Sequence, residues 1–346
     1  MRKLQKTSLW IIGSLLFAML QLHFILLIFH GDFQRSIDAA QGVVAGYPHW
    51  MIYQSRVLGP YFIQFLSAFL SDYTTAYYCF MLGTGTLANL TILWVANRIQ
   101  LLGQDPHDAE DDGLIPLSAL LFFNFLFISL VSQDWLYAWD HLGVLFFTVF
   151  YYFVLSEKNW LWFVGLFSIA VFNRESAYFI ALWMVINPMI QYIINRAQRF
   201  NWQLFIAGLA CFIAGAWIIH TLRAQLLIQE IMPNQPELLK QSFLYQLPYN
   251  IRQIQTNFMQ FNITIPLVFL SMLLLLSGRL SIQNPYRYLG LALTQTAMVV
   301  ATCCFALLQE TRALLELVPF MTLSLLALRH KKMCHQHRPF SLAQAS

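Results

Sequence analysis

Apolar runs, each near the length needed to cross a lipid bilayer, follow one another along this chain from Leu9 almost to its basic end. A membrane-crossing helix takes about 20 mostly apolar residues. No soluble fold hides so many such stretches behind a water-facing surface. The charge content agrees: 10 % of the 346 residues are charged and 58 % are hydrophobic, whereas soluble domains carry ~25 % charged residues. The sequence therefore predicts an all-α integral membrane protein, a polytopic bundle of about ten transmembrane helices. A single membrane domain is expected over 1–330, with a basic tail over 331–346.

Spans are expected near 8–29, 74–97, 114–131, 141–156, 159–172, 176–194, 203–222, 261–278, 286–308 and 312–328. The stretch 57–70 is different. It is short, contains Pro60, and sets Gln64, Ser67 and Ser71 in one polar stripe, the pattern of an amphipathic helix lying in the membrane interface. Lys and Arg concentrate in cytoplasmic segments. With 57–70 in the plane, both termini fall inside, along with the larger share of the 20 Lys and Arg residues. Counted as a span, it would invert everything after it and turn the basic tail outward. The run Leu9–Phe29 is longer than a signal-peptide core and has no A-x-A cleavage site after it, so it reads as a retained first span. Cys79, Cys211, Cys303 and Cys304 lie in apolar runs and Cys334 in the tail, which implies no disulfide framework.

Three spans, 141–156, 159–172 and 312–328, are short. At 1.5 Å per residue they reach about 21–26 Å, less than the ~30 Å hydrocarbon core. Helices that stop partway border protein or a polar cavity rather than lipid. All three end on the outer side.

That side also collects charges pressed against apolar sequence. The first outer loop, 30–73, holds Asp32, Arg35, Asp38 and Arg56; the next holds Asp134, Asp140 and His141, with Trp135, Tyr137 and Trp139 among them. A turn between two spans reads Asn173-Arg174-Glu175-Ser176, and the last outer turn reads Gln309-Glu310-Thr311-Arg312. Charges at that depth are expensive, so they are paired or line a site. Plainer readings exist for each. Arg174–Glu175 and Glu310–Arg312 could close helical turns, and Asp134 and Asp140 could cap helices. His141 could be a satisfied interface histidine, and the aromatics an interfacial belt. The convergence of four separate segments on one face favours a site. The outer loop 223–260, with Pro233, Pro236 and Pro248, reads as a cover for it or as a connector.

Arginines and carboxylates at a membrane surface suit a phosphate carried on a lipid. Arginine forks onto phosphate oxygens and stays charged when partly desolvated. A carboxylate beside an acceptor hydroxyl can take its proton as the oxygen attacks. A lipid-phosphate hydrolase would use similar groups, so these residues indicate a class rather than one reaction.

The first outer loop reads Gly31-Asp32-Phe33-Gln34-Arg35-Ser36-Ile37-Asp38-Ala39-Ala40, then Gly46-Tyr47-Pro48. It resembles the loop of polyprenyl-phosphate-sugar-dependent membrane glycosyltransferases of the GT-C fold, in the mannosyltransferase-like bacterial group. Arg56-Val57-Leu58-Gly59-Pro60-Tyr61 and Asn173-Arg174-Glu175-Ser176 resemble further elements of that group. The resemblance implies an inverting transfer from a polyprenyl-phosphate-linked sugar to a glycan or lipid-linked acceptor on the outer face. It implies a general base at Asp32, with Asp38 the second acidic candidate. Arg56, Arg174 and Arg312 become candidates for donor phosphate contact, and Asp134, Asp140, His141, Glu175 and Glu310 complete the candidate substrate-binding set. The expected setting is a bacterial inner membrane. The expected partners are donor, acceptor and bilayer, with no nucleic acid. No cofactor is certain from the sequence, and a divalent metal ion is the one left open. The pattern departs from the group at Ser36 and Ile37, where tyrosines are usual. That departure keeps a second class open, a non-catalytic subunit of a surface-polysaccharide assembly system. A transporter or flippase of lipid-linked glycans is the main alternative to transfer.

Overall fold

A computed structural model of the chain describes residues 2–29, 33–46, 55–102, 114–132, 136–195, 199–226, 246–256, 285–306 and 311–324. All regular structure among them is helical. The elements are α1 (Arg2–Ile28), α2 (Phe33–Ala45), α3 (Leu58–Ser67), α4 (Tyr73–Leu102), α5 (Leu114–Val131), α6 (Asp140–Leu155) and α7 (Trp160–Ala170). A 3₁₀ turn, Glu175–Ala177, leads into α8 (Tyr178–Ile194); then come α9 (Trp202–Leu226), α10 (Leu247–Thr256), α11 (Pro285–Phe305) and a 3₁₀ segment, Thr311–Leu317.

Five helices are long and apolar enough to cross a membrane, at Thr7–Ile28, Tyr73–Ile99, Leu114–Val131, Glu175–Ile194 and Trp202–Leu226. This is the architecture of an all-α membrane protein. Asp140–Leu155, Trp160–Ala170, Leu289–Phe305 and Leu314–Ser324 are shorter apolar helices. Each expected span coincides with one of these helices except 261–278, which lies outside the described residues, as do most of the 223–260 loop and the tail. The stretch expected as a loop after the first span holds an unexpected helix, α2. Phe33, Ile37, Ala40 and Val43 recur on its buried face, while Gln34, Arg35, Asp38 and Gln41 are exposed. The segment 57–70 forms α3, whose 10 residues extend about 15 Å, half of what a crossing needs. Gly59, Pro60 and Ile63 are buried, and Tyr61, Phe62 and Phe65 are exposed. A Cβ on Gly59 would stand 3.3 Å from the Ala138 backbone, so glycine lets α3 lie directly against the turn before α6.

The bundle packs α4 against α1, α5 and α6, and α8 against α9 and α11. At the α8–α9 contact a Cβ on Gly208 would stand 2.8 Å from Val185 Cγ2 and 2.9 Å from Met184 Cβ. Without a hydrophobic drive between helices in lipid, such close small-residue contact supplies the packing. Three helices are also joined by buried amides. Gln21 Nε2 donates to Asn124 Oδ1 at 2.8 Å, and Asn124 Nδ2 donates to Asn89 Oδ1 at 2.8 Å. Asp72 caps α4, accepting from the Thr75 backbone N–H and the Thr75 hydroxyl, each at 2.8 Å.

Candidate functional site

The turn after α7 is where the chain commits its most expensive side chains, and every residue of it finds a distant partner. Asn173 Nδ2 donates to the carbonyl of Trp139 at 2.9 Å. Arg174 Nη1 lies 3.4 Å from Asp140 Oδ1 and 3.6 Å from Glu316 Oε1. Glu175 receives Arg223 Nη2 at 2.8 Å on Oε1 and Arg56 Nε at 3.4 Å on Oε2. The Ser55 hydroxyl donates to Glu175 Oε1 and the Ser176 hydroxyl to Glu316 Oε1, both at 2.6 Å. Four arginines and three carboxylates thus meet among the described residues, at one end of the bundle. They come from the start of α6, the α7–α8 turn, the end of α9, the residues before α3 and the final 3₁₀ segment.

Burial shows why the pairing is needed. Asp140 and Glu316 are each 1 % exposed, Arg56 6 % and Arg312 5 %. A buried charge without a counter-charge costs several kcal/mol. Burial disfavours the Arg174 guanidinium, but Glu316 and Asp140 outweigh it and raise its pKa above the ordinary value. Asp140 does not cap α6 from outside; as its first residue, it accepts the Tyr137 N–H on Oδ2 at 2.8 Å. A carboxylate in a first turn also meets the positive end of the helix dipole. Glu316 fits because Gly143 faces it: a Cβ there would stand 2.8 Å from Glu316 Oε1.

The aromatic residues form a layered stack between two arginines. The Arg312 guanidinium lies 4.2 Å over the Tyr137 ring, Tyr137 stacks on Trp139 at 4.9 Å and 7°, and the Arg56 guanidinium lies 5.3 Å from Trp139. Trp139 is fully buried, and Ala39 and Val43 of α2 pack beside the pair. Tyr137 and Trp139 are therefore neither an interfacial belt nor an open platform, because their faces are taken by each other and by guanidinium groups. Cation–π contact of this kind helps to hold arginine charge out of water.

Of the residues singled out in the sequence, Arg56, Asp140, Arg174, Glu175 and Arg312 are brought together. Asp38 is not among them. It sits on the exposed face of α2, where Gln34 Nε2 donates to its Oδ1 at 2.8 Å. His141 adjoins the cluster in sequence, but its ring is stacked on Phe127 at 5.0 Å. Asp32, Asp134 and Glu310 lie outside the described residues. Ser55, Arg223 and Glu316 were not in the expected set. Among the described residues no group of three or more His, Cys, Asp or Glu side chains is placed to hold a metal ion. Comparison with protein-family models, curated proteins and solved structures finds no match.

Proposed function

We propose that this chain is a membrane glycosyltransferase of the GT-C type, taking a sugar from a polyprenyl-phosphate donor and transferring it with inversion to a glycan or lipid-linked acceptor. The observation that carries the reading is the gathering of Arg56, Arg174, Arg223 and Arg312 at one end of an apolar bundle. Among the described residues Arg56 and Arg223 meet Glu175, Arg174 meets Asp140 and Glu316, and Arg312 lies over the Tyr137 ring. A desolvated, arginine-rich site at the end of membrane helices is suited to a phosphate whose lipid tail stays in the bilayer. The exposed aromatic side of α3 beside it suits contact with that tail.

In this reading the bundle crosses a bacterial inner membrane about ten times, α3 lies in the plane, both termini are cytoplasmic and the cluster faces outward. Asp32 takes the proton of the acceptor hydroxyl. The hydroxyl oxygen attacks the anomeric carbon, forming the new glycosidic C–O bond as the bond to the phosphate oxygen breaks. The phosphate leaves with the electron pair, and the arginines hold the charge that develops on it. Ion pairs hold the Arg56, Arg174 and Arg223 guanidiniums, and the Tyr137 ring holds that of Arg312, in fixed positions before the donor arrives.

The test is transfer by the purified chain from a polyprenyl-phosphate sugar to candidate acceptors. Transfer by the native chain and loss with Asp32→Asn are expected; undiminished transfer by Asp32→Asn removes Asp32 from the base role. The mid-bundle amides Gln21, Asn89 and Asn124 favour a second reading, a transporter of lipid-linked glycans, since buried polar groups mark membrane pathways. Substrate counterflow in vesicles with no new glycosidic bond would select it.

A further inference from the structure

Between α1, α4 and α6 lies a second polar place that the proposed chemistry does not use. His141 of α6 is 3 % exposed, and neither its Nδ1 nor its Nε2 has a hydrogen-bond partner among the described residues. Gln21 of α1 is 2 % exposed; its Nε2 is committed to Asn124, and its Oε1 likewise has no partner among the described residues. These two orphaned groups meet at one glycine of α4. A Cβ on Gly85 would stand 3.3 Å from Gln21 Oε1 and 3.4 Å from His141 Nε2, with Ala18 Cβ also at 3.4 Å. Gly85 therefore places no side chain between the amide oxygen and the imidazole.

Buried acceptors and imidazole nitrogens without partners are destabilising, and native interiors satisfy them with ordered water where two or more polar groups converge. We propose that a single water molecule is bound here, bridging Gln21 Oε1 and His141 Nε2. Gln21 Oε1 only accepts, so the water donates to it, and its other hydrogen or a lone pair serves His141 Nε2. The amide orientation supports this, because the bond to Asn124 fixes which end of Gln21 faces the histidine. The bound water extends the amide chain from Asn89 and Asn124 through Gln21 to His141, the residue after Asp140. A line of hydrogen-bonding groups then runs from Asn89 in the middle of α4 through Asn124 and Gln21 to His141 of α6. It requires a residue without a Cβ at position 85.

The experiment uses the full chain in lipid nanodiscs, with water as the probe. A structure at water-resolving resolution should show a peak roughly 2.6–3.2 Å from both atoms. Solid-state NMR of chain carrying nitrogen-15 histidine should show magnetisation passing from water to His141, its signal identified by its loss in His141→Phe. Gly85→Ala should remove the peak and cut the transfer severalfold. Gln21→Leu, which leaves α4 untouched, should do the same and serves if Gly85→Ala does not fold. A wild-type chain with no peak, a direct Gln21–His141 hydrogen bond, or a different bound group overturns the proposal. Transfer unchanged in both Gly85→Ala and Gln21→Leu also overturns it.

Discussion

Replacing Arg174 with alanine should be among the most damaging single changes in this chain. Arg174 Nη1 lies 3.4 Å from Asp140 and 3.6 Å from Glu316, two carboxylates each 1 % exposed. At an effective dielectric of ~20, each contact represents about 5 kcal/mol of gross attraction, most of it offset by desolvation. The net loss on removing the arginine is set instead by what is left behind. Asp140 keeps the Tyr137 N–H and Glu316 keeps the Ser176 hydroxyl, but the cation between them is gone. Stranding a buried charge costs about 3–5 kcal/mol, a large part of the ~5–15 kcal/mol that holds a typical protein together. Unfolding in mixed detergent micelles, followed by tryptophan fluorescence, measures it. Adding Glu316→Gln to Arg174→Ala should recover part of the loss, because one stranded charge is then removed, and the double-mutant cycle gives the coupling. Arg174→Ala within about 0.5 kcal/mol of the native chain, the range of ordinary surface substitutions, would refute the reasoning.

Three further outcomes are expected. Gly143→Ala should push Glu316 off Ser176 and destabilise by about 1–3 kcal/mol, since the new Cβ would stand 2.8 Å from Glu316 Oε1; an unchanged melting temperature would contradict this. The Asp72 carboxyl should titrate below its ordinary 3.8, because the Thr75 N–H, the Thr75 hydroxyl and the Ser71 hydroxyl all favour its charged form. Its contribution to holding α4 is therefore complete above 3.8 and lost as pH falls through the lower folded-state value, and a carboxyl NMR midpoint at or above 3.8 refutes the cap. In a cysteine-free background, a cysteine placed at position 134 should label from outside and one at 158 should not; the reverse pattern rules out the proposed orientation.

The charges of the site were legible for a simple physical reason. Arg56, Asp140, Arg174, Glu175 and Arg312 each stand beside apolar sequence, where a charge is tolerated only with a partner. Their partners were less visible. Glu316 lies within an apolar stretch and Arg223 after another, and nothing local tells that they turn toward Arg174 and Glu175. The stacking of Tyr137 on Trp139 also depends on long-range contact, since two guanidiniums and α2 enclose the pair. The helix α2 itself was readable in principle. Phe33, Ile37, Ala40 and Val43 recur at helical spacing, and the same spacing sets Asp38 with Gln34 on the opposite, exposed face. Its short, mixed composition is what made it pass for loop. Every expected span within the described residues coincides with an apolar helix because apolar length is a local property. The amide chain joining α1, α4 and α5 needed the packed structure, because a lone Gln or Asn in a span does not announce its partner.

Equilibrium binding of polyprenyl phosphate to the purified chain shows whether the arginine cluster takes a lipid-borne phosphate. Trp139, stacked on Tyr137 and beneath Arg56, offers a fluorescence signal within the site. Saturable binding is predicted for polyprenyl phosphate and not for the neutral polyprenol. It should weaken at least about tenfold, the equivalent of one charge-assisted contact, in folded Arg56→Gln and Arg312→Gln chains. Equal binding of the neutral lipid, or native affinity in both variants, would mean that the arginine cluster is not a phosphate site.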